Sequence, residues 1–189
     1  MQKVKISFNA PVTLGFVLIC FVATVLGIIT HGDSTSLLFM TYHSSLKDPL
    51  TYIRFLTHVF GHDGWNHFTG NVTYLLLLGP LLEEKYGSLR LIKVIVVTAI
   101  ITGGINYIFL PNTALYGASG VVFAFIVLSS FAGFKEGEIP LTFILVGIVF
   151  VGQQVCAGIT KEDDISQMTH IIGGIIGAII GYQFNKNKM

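Results

Sequence analysis

The sequence predicts an all-α membrane protein, and three observations support this fold class. Of its 189 residues, 52% are hydrophobic and only 11% are charged, whereas soluble domains carry about 25% charged residues. The charges are also clustered, and none occurs between Val94 and Phe134. A single helix of that length would be about twice as long as the ~30 Å hydrocarbon core is thick. The chain must therefore turn back, and the sequence from Pro111 predicts the turn.

The same length rule predicts six transmembrane helices in a single domain that covers residues 1–189. They are expected at residues 11–30, 65–83, 90–110, 117–134, 139–158 and 166–185. Residues 31–64 form one long outer connection, and ordered connections of this length tend to have a function or to pack on something. The first helix resembles a signal peptide, but its length of about 20 residues and its lack of a clear cleavage site favour a retained span.

The distribution of Lys and Arg predicts that both termini are cytoplasmic. With six spans, the termini share one side with loops 84–89 and 135–138, and that side contains eight of the 11 basic residues. Basic residues favour the cytoplasmic side of a membrane. The long connection and the acidic run from Glu162 to Asp164 then face outward. A net charge of +1 gives no indication of nucleic-acid binding.

Ser119 is the first residue that suggests chemistry. It lies within the sequence Gly117-Ala118-Ser119-Gly120, where the fourth predicted span begins. A helix N-terminus leaves backbone N–H groups free and carries a partial positive charge. Flanking glycines would let a substrate carbonyl approach that backbone, which is what an oxyanion site requires. The alternative is that these small residues only form a face for helix packing.

His170 stands alone in the sixth predicted span, 51 residues after Ser119. The residues that share its face are all small: Gly173, Gly174, Gly177, Ala178 and Gly181. Three of these glycines form a tandem GxxxG ridge that a partner helix can approach closely. The fourth span is the expected partner, and the contact would bring the imidazole within hydrogen-bonding reach of Ser119. The alternative is a histidine that only holds two helices together.

A third cluster lies on the second predicted span, where His67 and Asn71 are four residues apart. One helix face therefore carries both side chains, together with Gly70 and Tyr74. An imidazole and a carboxamide in this arrangement can donate hydrogen bonds to one point, as a developing oxyanion requires. A purely structural hydrogen-bond network would need the same residues and remains the alternative.

Two neighbouring clusters have simpler interpretations. His58 and His62 have HxxxH spacing, but Val59 stands where a zinc protease motif has its glutamate. No metal ion or cofactor is predicted, and these histidines are expected to anchor the long connection to the second span. At the cytoplasmic end of that span, Glu83 is expected to join an exposed ion-pair cluster with Arg90, although it could instead bond a neighbouring loop.

Together, the three clusters supply every group that an acyl-transfer site requires. Ser119 would be the nucleophile and His170 the general base, while His67 and Asn71 would be oxyanion donors. None of the predicted spans offers an aspartate to orient the imidazole. The site would therefore be a Ser-His dyad rather than a triad.

The chain resembles the rhomboid family of intramembrane serine proteases over roughly residues 50–185. Four motifs carry the resemblance. They are GxSG at residues 117–120, HxxG from His170 to Gly173, HxxxN from His67 to Asn71 with the upstream His58 and His62, and E-x-x-x-G-S from Glu83 to Ser88. Six spans with no added domain are typical of the minimal bacterial form, which implies the plasma (inner) membrane.

The resemblance implies an intramembrane endopeptidase whose Ser119–His170 dyad lies in a water-filled cavity below the outer membrane surface. Its partners would be membrane lipid and transmembrane protein substrates, most simply substrates with a single span. The enzyme would cut these substrates at small residues in or near the span. The oxyanion site would comprise the Ser119 backbone N–H, His67 and Asn71. The supporting residues would be Gly117, Ala118, Gly120, Phe123 and Gly173. The first loop would lie partly in the outer leaflet, and the fifth span with residues 158–165 would form a gate and cap.

Three residues depart from the family pattern. The family usually has a larger apolar residue than Ala118 in the oxyanion turn, and Phe123 stands where a tyrosine is common. Phe123 retains the ring that would stack on His170 but lacks the hydroxyl. Ile53 replaces the tryptophan that precedes Arg54 in the first loop, which weakens its aromatic anchor. None of these changes removes a reacting group, so an active enzyme is expected.

Two other functions fit parts of the pattern. A rhomboid-like protein without catalysis would bind transmembrane helices for trafficking or quality control, but such relatives lack the serine or the histidine that this chain retains. A small transporter or channel also has polar residues in its spans. However, the span interiors contain His, Asn and Ser without Asp, Glu, Lys or Arg, and there is no inverted repeat. The sequence therefore favours the protease.

Overall fold

The computed structural model describes residues 6–133, 138–160 and 164–186, and all regular elements in these ranges are helical. The α-helices are α1 (Pro11–Ile29), α2 (Asp33–Leu38), α3 (Pro49–Thr57), α4 (Gly64–Tyr86), α5 (Ser88–Phe109), α6 (Ser119–Ser130), α7 (Leu141–Thr160) and α8 (Asp164–Asn185). Short 3-10 turns follow α3 at His58–Phe60 and α6 at Phe131–Gly133. The prediction of an all-helical fold is confirmed.

Each of the six predicted spans corresponds to one helix, namely α1, α4, α5, α6, α7 or α8, and α6 is shorter than the span predicted at residues 117–134. Within the described residues, only α1 and α5 are both long and apolar enough to cross a membrane by composition alone, and α6 is a shorter apolar helix. Polar residues lower the hydropathy of α4, which carries His67, Asn71 and Glu83. The count of six spans therefore stays a prediction.

The outer connection between α1 and α4 is more regular than its sequence indicated, because it contains α2, α3 and a 3-10 turn. Arg54 on α3 is buried and holds the segment together. Its Nε donates to the Leu37 carbonyl at 2.9 Å, its Nη1 lies 3.4 Å from the Asp48 carboxylate, and its guanidinium lies 4.8 Å from the centre of the Tyr42 ring. Buried arginines are rare unless paired in this way. The connection is thus a folded layer.

Helix α8 packs against α6 along the glycines that the sequence singled out. A methyl group added to Gly173 would overlap the carbonyl oxygen of Gly120, and one added to Gly177 would overlap the carbonyl oxygen of Ala124. Further along, Gly181 lies against the ring of Phe131. Small residues allow such close backbone approach between membrane helices. The prediction that the fourth and sixth spans are partners is confirmed.

The expectation that Glu83 joins an exposed ion-pair cluster is wrong. Its side chain is buried and accepts hydrogen bonds from the backbone amides of Val12 and Thr13, each at 3.0 Å. The hydroxyls of Thr13 and Ser88 donate to the same carboxylate at 3.0 and 2.8 Å. Glu83 therefore caps the N-terminus of α1, where free amides and the helix dipole favour a negative charge.

Replacing Glu83 with alanine should destabilise the protein by about 3 kcal/mol, because two buried and two partly buried donors lose their acceptor. The free energy of unfolding in detergent, followed by circular dichroism, measures this loss. Glu84→Ala is the matched control, since Glu84 is exposed, and its effect should stay below about 0.5 kcal/mol. Equal effects of the two substitutions would contradict the capping role of Glu83.

Gly177→Val should destabilise the bundle by more than about 2 kcal/mol, because the new side chain meets the α6 backbone and that backbone cannot move aside. Gly104→Val on α5 is the matched control, since no atom lies within 4 Å of the position where its Cβ would be. The same unfolding assay compares the two variants. A Gly177→Val protein as stable as the Gly104→Val protein would show that α6 and α8 can separate without cost.

Candidate active site

One cavity of about 660 Å³ is bordered by residues of α4, α6, α7 and α8. Ser119, His170, His67 and Asn71 all line it, although they come from three helices and are separated by up to 103 residues in the chain. The remaining wall is largely apolar. The four side chains that the sequence singled out thus line one partly open cavity.

Ser119 is the first residue of α6 and follows Ala118, which has helical backbone angles and makes no side-chain capping bond. Gly117 has φ +123°, a conformation that residues with a side chain rarely adopt. The first bond of the helix runs from the Val122 amide to the Ala118 carbonyl at 2.9 Å, so the Ser119 amide has no acceptor within the helix. The serine is half-buried and lies at the positive end of the α6 dipole.

The loop before Ser119 is held by the outer connection. Thr41 and Leu115 exchange two backbone hydrogen bonds of 2.9 and 2.8 Å, and the Gly117 amide donates to the His58 carbonyl at 2.9 Å. Backbone hydrogen bonds of this kind fix the path of a loop without depending on side chains. The position of Ser119 therefore depends on residues far earlier in the sequence.

His170 lies over the face of α6 that carries Ser119. Its ring stacks on Phe123 with centroids 4.0 Å apart and planes at 24°, and Phe123 follows Ser119 by one helical turn. Gly173, one turn after His170 on α8, contacts Gly120 on α6 and continues the same interface. The predicted stacking of Phe123 on His170 is confirmed.

His67 and Asn71 both face Gly117. A Cβ added to Gly117 would lie 2.8 Å from His67 Nε2 and 3.9 Å from Asn71 Nδ2, so this glycine leaves room for both side chains. Asn71 Nδ2 is buried and has no hydrogen-bond partner in the described part of the chain. An unsatisfied buried donor is costly, and beside the cavity this one can bind an acceptor that enters.

Of the two upstream histidines, His62 has the predicted anchoring role and His58 has a different one. His62 packs on α4 as expected, with its ring 5.0 Å from that of His67 and 5.7 Å from that of Phe68. His58 instead anchors the connection to α5, where its Nε2 lies 3.2 Å from the Thr102 hydroxyl. Among the described residues, no group of three His, Cys, Asp or Glu side chains could hold a metal ion.

Several lining residues were not predicted from the sequence. Helix α7 contributes an apolar wall formed by Leu145, Val146 and Val149, and Asn66 precedes His67 at the rim of the cavity. An apolar helix face carries no signal that separates a substrate wall from a lipid-facing surface. The predicted gate and cap at residues 158–165 includes 161–163, which lie outside the described residues.

A family model described as the Rhomboid domain matches residues 49–187. The chain belongs to the rhomboid family. Rhomboids are membrane-embedded proteins, so this rhomboid is a membrane protein whose fold is helical. The family assignment made from the four sequence motifs is confirmed.

Three similar proteins illustrate the range of the family. The chain is 29% identical to Rhomboid protease GlpG of Serratia proteamaculans over 181 residues, which cover 94% of this chain and 64% of that protein. It is 25% identical to Rhomboid protease GlpG of Haemophilus influenzae over 169 residues, 84% of this chain and 85% of that one. It is 32% identical to Rhomboid-related protein 1 of Caenorhabditis elegans over 139 residues, 68% of this chain and 39% of that one.

The two upstream histidines should make the stability of this rhomboid sensitive to acid. Burial lowers the pKa of His58 from 6.5 to about 4, and burial together with the neighbouring His67 lowers the pKa of His62 to about 4. Because the unfolded chain then binds more protons than the folded one, stability should be full above pH 6.5 and decrease as the pH falls from 6.5 to about 4. Each histidine should account for about 3 kcal/mol.

The measurement is the free energy of unfolding between pH 4 and 7. His58→Gln should show a shallower loss of stability with falling pH than the wild type, since one titrating group has been removed. His31→Gln is the control because His31 is exposed, and it should leave the slope unchanged. Identical slopes in the wild type and His58→Gln would rule out a buried neutral His58 as the cause.

Proposed function

We propose that this rhomboid is an intramembrane serine endopeptidase that cleaves transmembrane proteins in or near their span. The proposal rests mainly on one observation: a hydroxyl, two imidazoles and a carboxamide from three helices line a single cavity. The similarity to proteins named Rhomboid protease GlpG supports the same activity.

In the proposed reaction, Ser119 Oγ attacks the carbonyl carbon of the scissile peptide while His170 accepts the serine proton. The tetrahedral oxyanion accepts hydrogen bonds from the Ser119 amide, His67 and Asn71 Nδ2, and the positive end of α6 favours its charge. His170 then donates the proton to the leaving amine, and an acyl ester remains on the serine. Water activated by His170 hydrolyses that ester and restores the free serine.

The stack on Phe123 would perform one task of a triad aspartate for His170, which is to restrain the orientation of the ring. A face-to-face contact at 4.0 Å fixes the ring plane but leaves both nitrogens available for hydrogen bonds. Phenylalanine provides this contact as well as tyrosine does. The dyad is therefore complete without the hydroxyl that many relatives have at this position.

The proposed arrangement in the membrane has six spans, formed by α1, α4, α5, α6, α7 and α8 in one domain. Both termini lie in the cytoplasm, and the membrane is the plasma (inner) membrane. Ser119 begins α6 at its outer end, so the cavity is close enough to the surface to receive water. The apolar wall that continues towards Tyr74, Ile126 and Val149 suits the side chains of a substrate helix.

A non-catalytic rhomboid that only binds helices is the second candidate, and the unpartnered Asn71 amide argues against it. A binding surface for apolar helices has no acceptor to offer this donor. A site that holds a developing negative charge does gain from the Asn71 donor, since the hydrogen bond to the oxyanion forms when the charge appears.

Ser119→Ala and His170→Ala should each reduce cleavage of a single-span reporter by at least about 1,000-fold, because either residue alone is insufficient. The measurement is the rate of product formation in proteoliposomes. Ser129→Ala is the matched control, since it makes the same change on α6 at a hydroxyl that donates to the Ile126 carbonyl of its own helix at 2.7 Å.

A fluorophosphonate probe separates the two candidates. The wild type should be labelled covalently, and labelling should disappear in Ser119→Ala but persist in Ser129→Ala. Cleavage of the reporter by Ser119→Ala at the wild-type rate would end the protease proposal. Absence of labelling together with retained binding of the reporter would favour the binding protein.

A further inference from the structure

His67 has a second hydrogen bond, at the side of the ring away from the cavity. The backbone amide of Asp63 donates to His67 Nδ1 with a nitrogen–nitrogen distance of 3.3 Å. Asp63 is the N-cap residue of α4, and its own side chain makes no capping bond. The first amides of a helix have no acceptor within the helix. The imidazole of His67 supplies one, much as a glutamate does in a capping box.

This bond determines which ring nitrogen carries the proton. A neutral imidazole has one N–H and one lone pair, and the nitrogen that accepts a hydrogen bond must be the unprotonated one. Because Nδ1 accepts from Asp63, the proton of a neutral His67 is on Nε2. Nε2 is the nitrogen that faces Gly117 and, beyond it, the start of α6.

We propose that the backbone amide of Asp63 is a positioning group that holds His67 in the Nε2–H tautomer, so that the ring donates to the oxyanion. The inference rests on the proposed protease function. In the opposite tautomer, Nε2 would present a lone pair to the developing negative charge and repel it. The amide thus decides whether His67 favours or opposes the reaction.

The surroundings of the ring support a fixed orientation. His62 lies against it with centroids 5.0 Å apart and planes at 69°, and Tyr116 lies 6.2 Å away on the loop before Ser119. These rings limit rotation that would exchange Nδ1 with a ring carbon. Gly64 directly follows Asp63 with φ +73°, which lets the chain reverse at the start of α4.

A direct measurement on the wild type tests the tautomer. Histidine labelled with ¹⁵N in both ring nitrogens gives distinct resonances for protonated and unprotonated nitrogen, and His67→Gln identifies the signals of His67 among the six histidines. At neutral pH, Nε2 should be protonated and Nδ1 unprotonated. A protonated Nδ1 in the wild type would overturn the proposal.

Asp63→Pro removes the donor, since proline has no N–H, and the φ of −84° at this residue is close to what proline requires. Asp63→Asn is the matched variant, because it keeps the amide and changes only the exposed carboxylate. Asp63→Pro should give a mixture of His67 tautomers and lower kcat about tenfold, with KM unchanged. Complete loss of an oxyanion donor would lower kcat by about 10²–10³-fold. Asp63→Asn should keep the wild-type tautomer.

A purely structural role for the amide would lower stability and leave the tautomer unchanged, so an Nε2–H signal in folded Asp63→Pro would reject the proposal. Equal effects of both variants on the tautomer would assign the role to the carboxylate instead. If Asp63→Pro does not fold, the wild-type spectrum still decides. The spectrum can be recorded on an inactive protein, so it tests the tautomer independently of the protease proposal. Failure of the protease proposal would be seen in a different experiment, as cleavage of the reporter by Ser119→Ala.

Discussion

The contact between the backbones of α6 and α8 is the interaction on which the site depends. Hydrophobic side chains gain little by leaving lipid for protein, so membrane helices associate through close van der Waals contact and hydrogen bonds. Gly173 and Gly177 allow that contact because a single methyl group would overlap an α6 carbonyl oxygen. The same approach brings His170 onto the ring of Phe123. Packing and the proposed chemistry therefore share one set of glycines.

The outer connection contributes the other half of the geometry. It binds the loop before Ser119 through Thr41 and the His58 carbonyl, and it holds its own fold through the buried Arg54. His58 links this layer to α5, because its ring lies between the Arg54 carbonyl and the Thr102 hydroxyl, each at 3.2 Å. Burial lowers the pKa of His58 to about 4, so we expect this support to weaken as the pH falls.

The sequence predicted those parts of the structure that local patterns determine. The glycine ridge after His170 indicated a close helix pair, and the spacing of His67 and Asn71 indicated a shared face. The role of Glu83 was wrong because the N-terminus of α1 reaches it from 70 residues away, and no local pattern reports that approach. Helices α2 and α3 were not predicted since short helices depend on tertiary packing. The bond from the Asp63 amide to His67 was also missed, because glutamate is the residue that usually indicates this kind of helix cap in a sequence and histidine is not.

The order of the helices along the chain has a consequence for how such a protein is made. Ser119 is synthesised with α6, whereas His170 follows 51 residues later on α8. On the proposed mechanism, a nascent chain that ends after α6 holds a nucleophile without its base. Hydrolysis would then require the glycines of α8 to reach the α6 backbone, so completion of the bundle would act as the activation step.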